Sequence, residues 1–136
     1  MPSLLEEKDA IRDVLASYCF HFDNGEFDQW LGLFTDDATF DLGTRGSFNG
    51  QDALRRFLAS IPLTQGIPQM RHCVMNSIIR VDGPQATAQS YVVVVHGGAV
   101  PGVMLAGRYE DRLVKLNGAW KFRERRVQFD LMRGTA

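Results

Sequence analysis

Four stretches in the C-terminal half of the chain, 69–81, 85–97, 103–116 and 119–129, constrain the fold more than anything else in it. Each is rich in Val, Ile, Tyr and Phe, and turn signals separate them: Asp82-Gly83-Pro84, Gly97-Gly98 and Asn117-Gly118. Such spacing describes a run of long antiparallel strands joined by short connections. What precedes them is helical. Ser3-Leu-Leu-Glu6 has the form of a capping box, and Ile11, Val14, Leu15, Tyr18 and Phe22 then recur at helical spacing. Asn24-Gly25 can take the left-handed conformation that stops this helix. Phe27, Trp30, Leu31 and Phe34 mark a short second helix, and short strands follow around 38–42 and at Ser47-Phe48. Asn49 reads as the N-cap of a third helix carrying Ala53, Leu54, Phe57, Leu58 and Ile61, with Pro62 ending it. Helices followed by long antiparallel strands give an α+β fold, with the helices on one face of a curved sheet that can wrap around a pocket.

Composition bounds the function. A chain of 136 residues is expected to be one domain, spanning 1–136, and with 45% hydrophobic residues it can bury an ordinary core. A net charge of −1 gives no general attraction to nucleic acid or to an anionic membrane, and neither is expected as a partner. Two cysteines in periodic apolar segments make no disulfide framework, so a reducing cytoplasm is the expected compartment. The N-terminus lacks the charged and apolar regions of a signal peptide, and no apolar run reaches the length of a membrane span.

Two histidines carry the chemistry. His72 lies in Arg-His-Cys-Val-Met-Asn and His96 ends Tyr-Val-Val-Val-Val-His, both strand-like and apolar. An unpaired imidazole in an apolar wall is costly, so each needs a polar partner or a task. The best-placed partner is Asp23, at the end of the first helical pattern. A three-residue loop at Asp82–Pro84 would pair Val81 with Gln85, set His72 opposite Val94 and His96 opposite Met70, and bring both imidazoles to one face. A two-residue turn would separate them, because one slip inverts every side chain. An Asp–His pair in an apolar cavity can abstract a proton, the carboxylate fixing the tautomer of the base. Elimination also needs a group to stabilise the leaving group or an enolate-like charge. His96, Tyr18, Tyr109, Arg125 and Arg126 are the candidates, and the turn at Asn117-Gly118 leaves open which arginine faces the pocket. Asn76, beyond Val74 on the His72 face, lines the pocket or bonds the backbone. Phe22, Phe40 and other aromatic residues are mostly core, some of them walling the cavity. Otherwise the charged stretch 121–126 reads as a solvated strand face opposite Glu110 and Asp111. No metal, nucleotide or other cofactor is expected.

Several motifs, in order, resemble SnoaL-like proteins of the NTF2-like superfamily. They are Ile11-Arg-Asp-Val-Leu-Ala-Ser-Tyr18, Phe22-Asp-Asn-Gly-Glu-Phe-Asp-Gln-Trp-Leu-Gly-Leu-Phe34, Gly50-Gln-Asp-Ala-Leu54, His72 to Asn76, Gly107-Arg-Tyr-Glu-Asp-Arg-Leu-Val114 and Asn117-Gly-Ala-Trp-Lys-Phe122. The resemblance implies an NTF2-like cone enclosing a deep apolar pocket. It is nearest to the scytalone dehydratase-like branch, which also resembles hexachlorocyclohexane dehydrochlorinase and bile-acid dehydratases. Those enzymes eliminate water or halide with an Asp–His dyad, which matches Asp23 and His72, and the second histidine of scytalone dehydratase matches His96. Two tyrosines that hold a water on the substrate carbonyl in the fungal enzyme are replaced by Phe22 and Leu42. The dehydrochlorinase has a lysine where this chain has Tyr18, which offers a replacement proton donor. The implied activity is a cofactor-independent lyase acting on a hydrophobic cyclic small molecule. The alternatives are a non-catalytic ligand-binding or subunit-partner domain, like the β subunit of ring-hydroxylating dioxygenases, and a ketosteroid isomerase-type enzyme. By the same analogy the protein is a homo-oligomer, trimer or dimer, joined through the open face of its sheet.

Overall fold

A computed structural model describes residues 1–132. Helix α1 (Leu4–Asp23) opens with the expected capping box: the Glu6 N–H donates to Ser3 Oγ at 3.1 Å, and the Ser3 N–H to Glu6 Oε1 at 3.4 Å. Its buried stripe is Ile11, Leu15, Tyr18, Cys19, Phe22 and Asp23. The helix stops where Gly25 turns to φ +73°, and a Cβ there would meet the Gly66 carbonyl at 2.3 Å. Glycine is therefore required twice over at this turn, for its backbone angle and for its bareness.

Helix α2 (Phe27–Leu31), strand β1 (Phe34–Asp41), a 3₁₀ turn at Gly43–Arg45, strand β2 (Ser47–Asn49) and helix α3 (Gln51–Ala59) follow. The third helix is capped at Gly50 rather than Asn49, whose side chain instead accepts from Thr39 Oγ1 at 2.9 Å across the β1–β2 pair. A small hairpin, β3 (Leu63–Thr64) and β4 (Ile67–Pro68), leads to the long strands β5 (Met70–Asp82), β6 (Gln85–His96), β7 (Gly102–Leu116) and β8 (Ala119–Met132). Together they make an α+β fold in which the six-stranded sheet runs β2-β1-β8-β7-β6-β5, antiparallel except between β1 and β8. Register shifts interrupt every pairing among the long strands. Each bulge bends its strand and adds twist, so the sheet curls toward the helices.

The β5–β6 register is a corrected expectation with an unchanged outcome. The turn is two residues long, Gly83-Pro84, with Asp82 opposite Gln85 and Val81 opposite Ala86. That register alone would place the two histidines on opposite faces. A bulge between Met75 and Ile78 shifts the ladder by one residue, so His72 does pair with Val94, and Met70 with His96. Asn76 sits in that bulge at φ +58°. The same shift turns Asn76 out to solvent and gives the inward position to Ser77, which shares a hydrogen bond of 2.9 Å with Ser90.

Candidate active site

Asp23 ends α1 and His72 is the third residue of β5, so the packing of that helix on that strand brings them together. The carboxylate is held at both oxygens by one residue. His72 donates its backbone N–H to Asp23 Oδ2 at 2.8 Å, and its ring Nδ1 lies 2.7 Å from Oδ1. An ionised carboxylate only accepts, so Nδ1 carries the proton and the lone pair falls on Nε2. The ring is fixed sideways as well. Phe22 and Tyr18 stand edge-on to the imidazole, at centroid distances of 5.0 and 6.0 Å. Arg71 supports the junction by donating to the Asp23 backbone carbonyl at 3.4 Å and to Pro68 O at 3.3 Å. A cation there also suits the negative end of the helix dipole.

His72 lines a cavity of about 160 Å³ between the helices and the concave face of the sheet. Of the residues singled out from sequence, Tyr18, Phe22, Phe40, Leu42 and Tyr109 line it too. Sequence reasoning missed Arg45, Met70, Val92, Val94, Met104, Leu105, Val127 and Phe129, which complete much of the wall. Most of these could have been found by carrying the inward alternation along all four long strands. Arg45 had no such signal, because it reaches the mouth from the 3₁₀ turn, its guanidinium 5.0 Å from the centre of the Phe129 ring. On its other side His72 borders an open groove between α1 and β5, with Arg12, Cys19 and Ser77 among its lining.

Four candidates lie elsewhere. His96 is at the end of β6, half-buried, its Nδ1 2.8 Å from the Gly97 carbonyl, and it is not among the cavity-lining residues. Asn76 is exposed, for the reason given above. Arg126 faces outward with a 55% exposed side chain near Asp41 and Glu124. Arg125 is turned inward but sealed beneath the cavity wall. Its Nε and Nη2 donate to the two carboxylate oxygens of Asp111 at 2.8 and 3.1 Å, and neither side chain has measurable exposure. The charged stretch is therefore not wholly a solvated face. A bulge between the pairs Leu113–Phe122 and Arg112–Glu124 leaves Arg123 as the extra residue and turns Arg125 to the concave side, where the unbroken alternation of β7 already places Asp111 between Tyr109 and Leu113.

Burial sets the protonation of this layer. It lifts Tyr18 from 10.0 to about 12 and Tyr109 well above its ordinary value, so both remain phenols. It also pushes the Cys19 thiol up to about 12. Burial raises the Asp111 carboxyl despite the guanidinium's opposing pull, and the Asp111 charge in turn holds Arg125 above its ordinary value. Among the described residues no group of three or more His, Cys, Asp or Glu side chains is arranged to hold a metal ion.

A SnoaL-like domain model matches residues 3–126. The chain belongs to the SnoaL-like family. This SnoaL-like chain is similar to Rv3472, a protein of unknown function from Mycobacterium tuberculosis, with 30% identity over 91% of this chain and 72% of that one and a TM-score of 0.82. A candidate scytalone dehydratase from Novosphingobium aromaticivorans shares the fold at 24% identity, over 97% and 89% of the two chains, with a TM-score of 0.83. An NTF2-like protein with a cystatin-like fold from the same organism does so at 20% identity, over 98% and 86%, with a TM-score of 0.81. The expected NTF2-like architecture of the SnoaL-like chain is thereby borne out. No curated protein matches it. No helix among its described residues is long and apolar enough to cross a membrane.

Proposed function

We propose that the protein is a cofactor-independent lyase that uses Asp23 and His72 to eliminate water from a hydrophobic cyclic ligand. One observation carries the reading. The Asp23 carboxylate lies 2.7 Å from Nδ1 of an imidazole that borders an apolar cavity. His72 Nε2 takes the proton from the ligand carbon while Asp23 stabilises the imidazolium that forms; such general base catalysis is worth about 10²–10⁴-fold. On collapse the C–O bond breaks, and the imidazolium proton leaves with the hydroxide as water. A dry cavity of about 150 Å³ is known to hold one benzene-sized ring, so about 160 Å³ points to a ligand of about one ring.

The test is a panel of single-ring β-hydroxy ketones, such as 3-hydroxycyclohexanone, followed by the ultraviolet band of the conjugated product. Exchange of the α-hydrogen in D₂O is followed alongside, because it reports proton abstraction without loss of water. His72→Ala should abolish both signals while the circular dichroism spectrum and melting temperature stay close to those of the parent protein. Activity that survives this substitution excludes His72 as the base. Binding of the ring without exchange in the parent protein would favour a ligand-binding role instead.

The same reading extends to assembly and compartment. Met75, Ile78 and Tyr91 stand exposed on the convex face of the sheet, which supports a homo-oligomer formed through that face. Light scattering of the protein and of a Tyr91→Lys variant tests this. Cys19 and Cys73 are unpaired, which suits a reducing cytosol.

A further inference from the structure

The cavity wall is almost wholly apolar and aromatic, and Arg45 is the one permanently charged side chain among the described residues that line it. No carboxylate lines the cavity with it. Its backbone is pinned in the 3₁₀ turn: the Arg45 N–H donates to the Leu42 carbonyl at 3.2 Å, and the Leu42 N–H to the Gly46 carbonyl at 2.8 Å. From there the side chain reaches over the mouth, its guanidinium carbon 5.0 Å from the centre of the Phe129 ring and its Nη2 3.8 Å from Met132 Sδ. A thioether is a weak acceptor, so the N–H donors of the fork stay largely uncommitted within the protein. The nearest carboxylate along the chain is engaged elsewhere. Asp41 accepts from the Gly43 N–H at 2.8 Å with one oxygen and lies 3.6 Å from Arg126 Nε with the other. The contrast with Arg125 is direct, because that inward arginine already holds both oxygens of Asp111.

We infer that Arg45 determines the specificity of the cavity by binding a carboxylate carried on the ring ligand. The inference rests on the elimination reading for the fate of that ligand, and it narrows the substrate class to ring acids. A planar guanidinium fork meets the two oxygens of a carboxylate by parallel hydrogen bonds, and an apolar rim that excludes water makes them stronger. The Phe129 ring face holds the cation over the mouth. The position also suits the chemistry. Arg45 lies in the turn between β1 and β2, at one side of the sheet, whereas His72 lies on β5 at the opposite edge. A ring held between them points its carboxylate away from the carbon that loses its proton, so the fixed negative charge stays apart from the charge that develops there. With a net charge of −1 the protein has no general attraction for anions, and a preference for an acid over its neutral analogue has a local origin.

The experiment needs no turnover. Benzoate is titrated into the protein by calorimetry beside benzamide, which has the same shape without the charge, and acetate, which has the charge without the ring. Benzoate should bind at least about ten-fold more tightly than benzamide, and acetate should not bind. Arg45 is exposed, so its variants should fold as the parent does, and melting curves check this. Arg45→Met keeps an unbranched stem and removes the charge; it should erase the preference and leave benzamide binding unchanged. Arg45→Lys keeps the charge without the fork and should retain only part of the preference. A preference that survives Arg45→Met, a loss of both ring probes together in that variant, or equal or absent binding of the two rings in the parent protein overturns the inference. His72→Ala is titrated in parallel. A preference lost there and kept in Arg45→Met would put the carboxylate on the imidazole and overturn it as well. The two proposals separate cleanly. A preference that Arg45→Met removes and His72→Ala keeps upholds the anchor even where no ketone is turned over, and its absence alongside His72-dependent turnover defeats the anchor alone.

Discussion

The concave side of this protein holds two pairs of a carboxylate with a nitrogen side chain, of nearly the same length, Asp23–His72 at 2.7 Å and Asp111–Arg125 at 2.8 Å. Both lie on inward positions and both are largely removed from water. They differ in what the nitrogen partner does with its proton and in whether anything can reach it. Arginine stays charged at any working pH, and this one is covered on all sides, so the pair is a fixed field. The imidazole ring borders a cavity, and under the proposed reading it exchanges a proton with a visiting ligand. Burial and distance alone do not separate a charge scaffold from a proton-transfer device; the partner's proton affinity and its access do.

The largest effect expected from that contrast is on stability. Arg125→Met strands the Asp111 carboxylate in the core, which should cost about 3–5 kcal/mol in urea denaturation. Adding Asp111→Leu should recover most of the loss, since a well-packed apolar pair can match a buried ion pair. Asp23→Asn is the counterpart. Its amide would donate to Nδ1, force the proton onto Nε2 and remove the base, so turnover should fall about 10²–10⁴-fold. Its stability cost should stay near 1–3 kcal/mol, the scale of one disturbed buried hydrogen-bonding group. If Asp23→Asn destabilises as much as Arg125→Met, or leaves turnover intact, the contrast between the pairs fails.

Alkaline titration separates the two regions in another way. Tyr18 ionises at 10.0 when unfolded and only near 12 in the fold. Between those values the unfolded chain releases a proton that the folded chain keeps. The Tyr18 contribution is therefore full below pH 10 and falls by about 3 kcal/mol as pH rises across the window. Cys19, raised from 9.0 to about 12, begins the same decline earlier. Melting temperatures measured from pH 8 to 11 should fall steeply in the parent protein and less in Tyr18→Phe. An equal slope in both would remove Tyr18 from the account.

How much of this was readable follows from which residues obey local rules. The Tyr18–Phe22 stripe, the glycine stop at Gly25 and the four long strands follow periodicity and turn chemistry, and they lie where the sequence puts them. Asp23 opposite His72 was legible because a helix end and a strand start are fixed by those same signals. Bulges were not legible. Each depends on how two strands curve against the helices, and no residue pattern announces it. The one at Arg123 decides that Arg125 is inside and Arg126 outside. Arg45 was missed because it reaches the cavity from a turn, outside both periodicities.

The smallest predicted effect concerns Asn76, and it tests whether the dyad depends on its bulge while the sealed pair does not. Asn76 holds φ +58° on the strand that carries His72, whereas Asp111 and Arg125 lie on β7 and β8. Asparagine tolerates that region and glycine tolerates it better, so Asn76→Gly should change stability by less than about 1 kcal/mol and leave turnover unaltered. A β-branched residue is a true outlier there. Asn76→Val should cost about 1–3 kcal/mol, or else flatten the bulge and carry the ladder one register over. In the second case residues 70–75 invert, His72 leaves the cavity, and exchange of the ketone α-hydrogen stops while the cross-strand Asp111–Arg125 contact, followed by NMR of the guanidinium Nε–H, persists. A variant that is stable, has lost the bulge and still exchanges would show that His72 does not need the inward register. Loss of the guanidinium signal together with exchange would show that the two pairs are not independent.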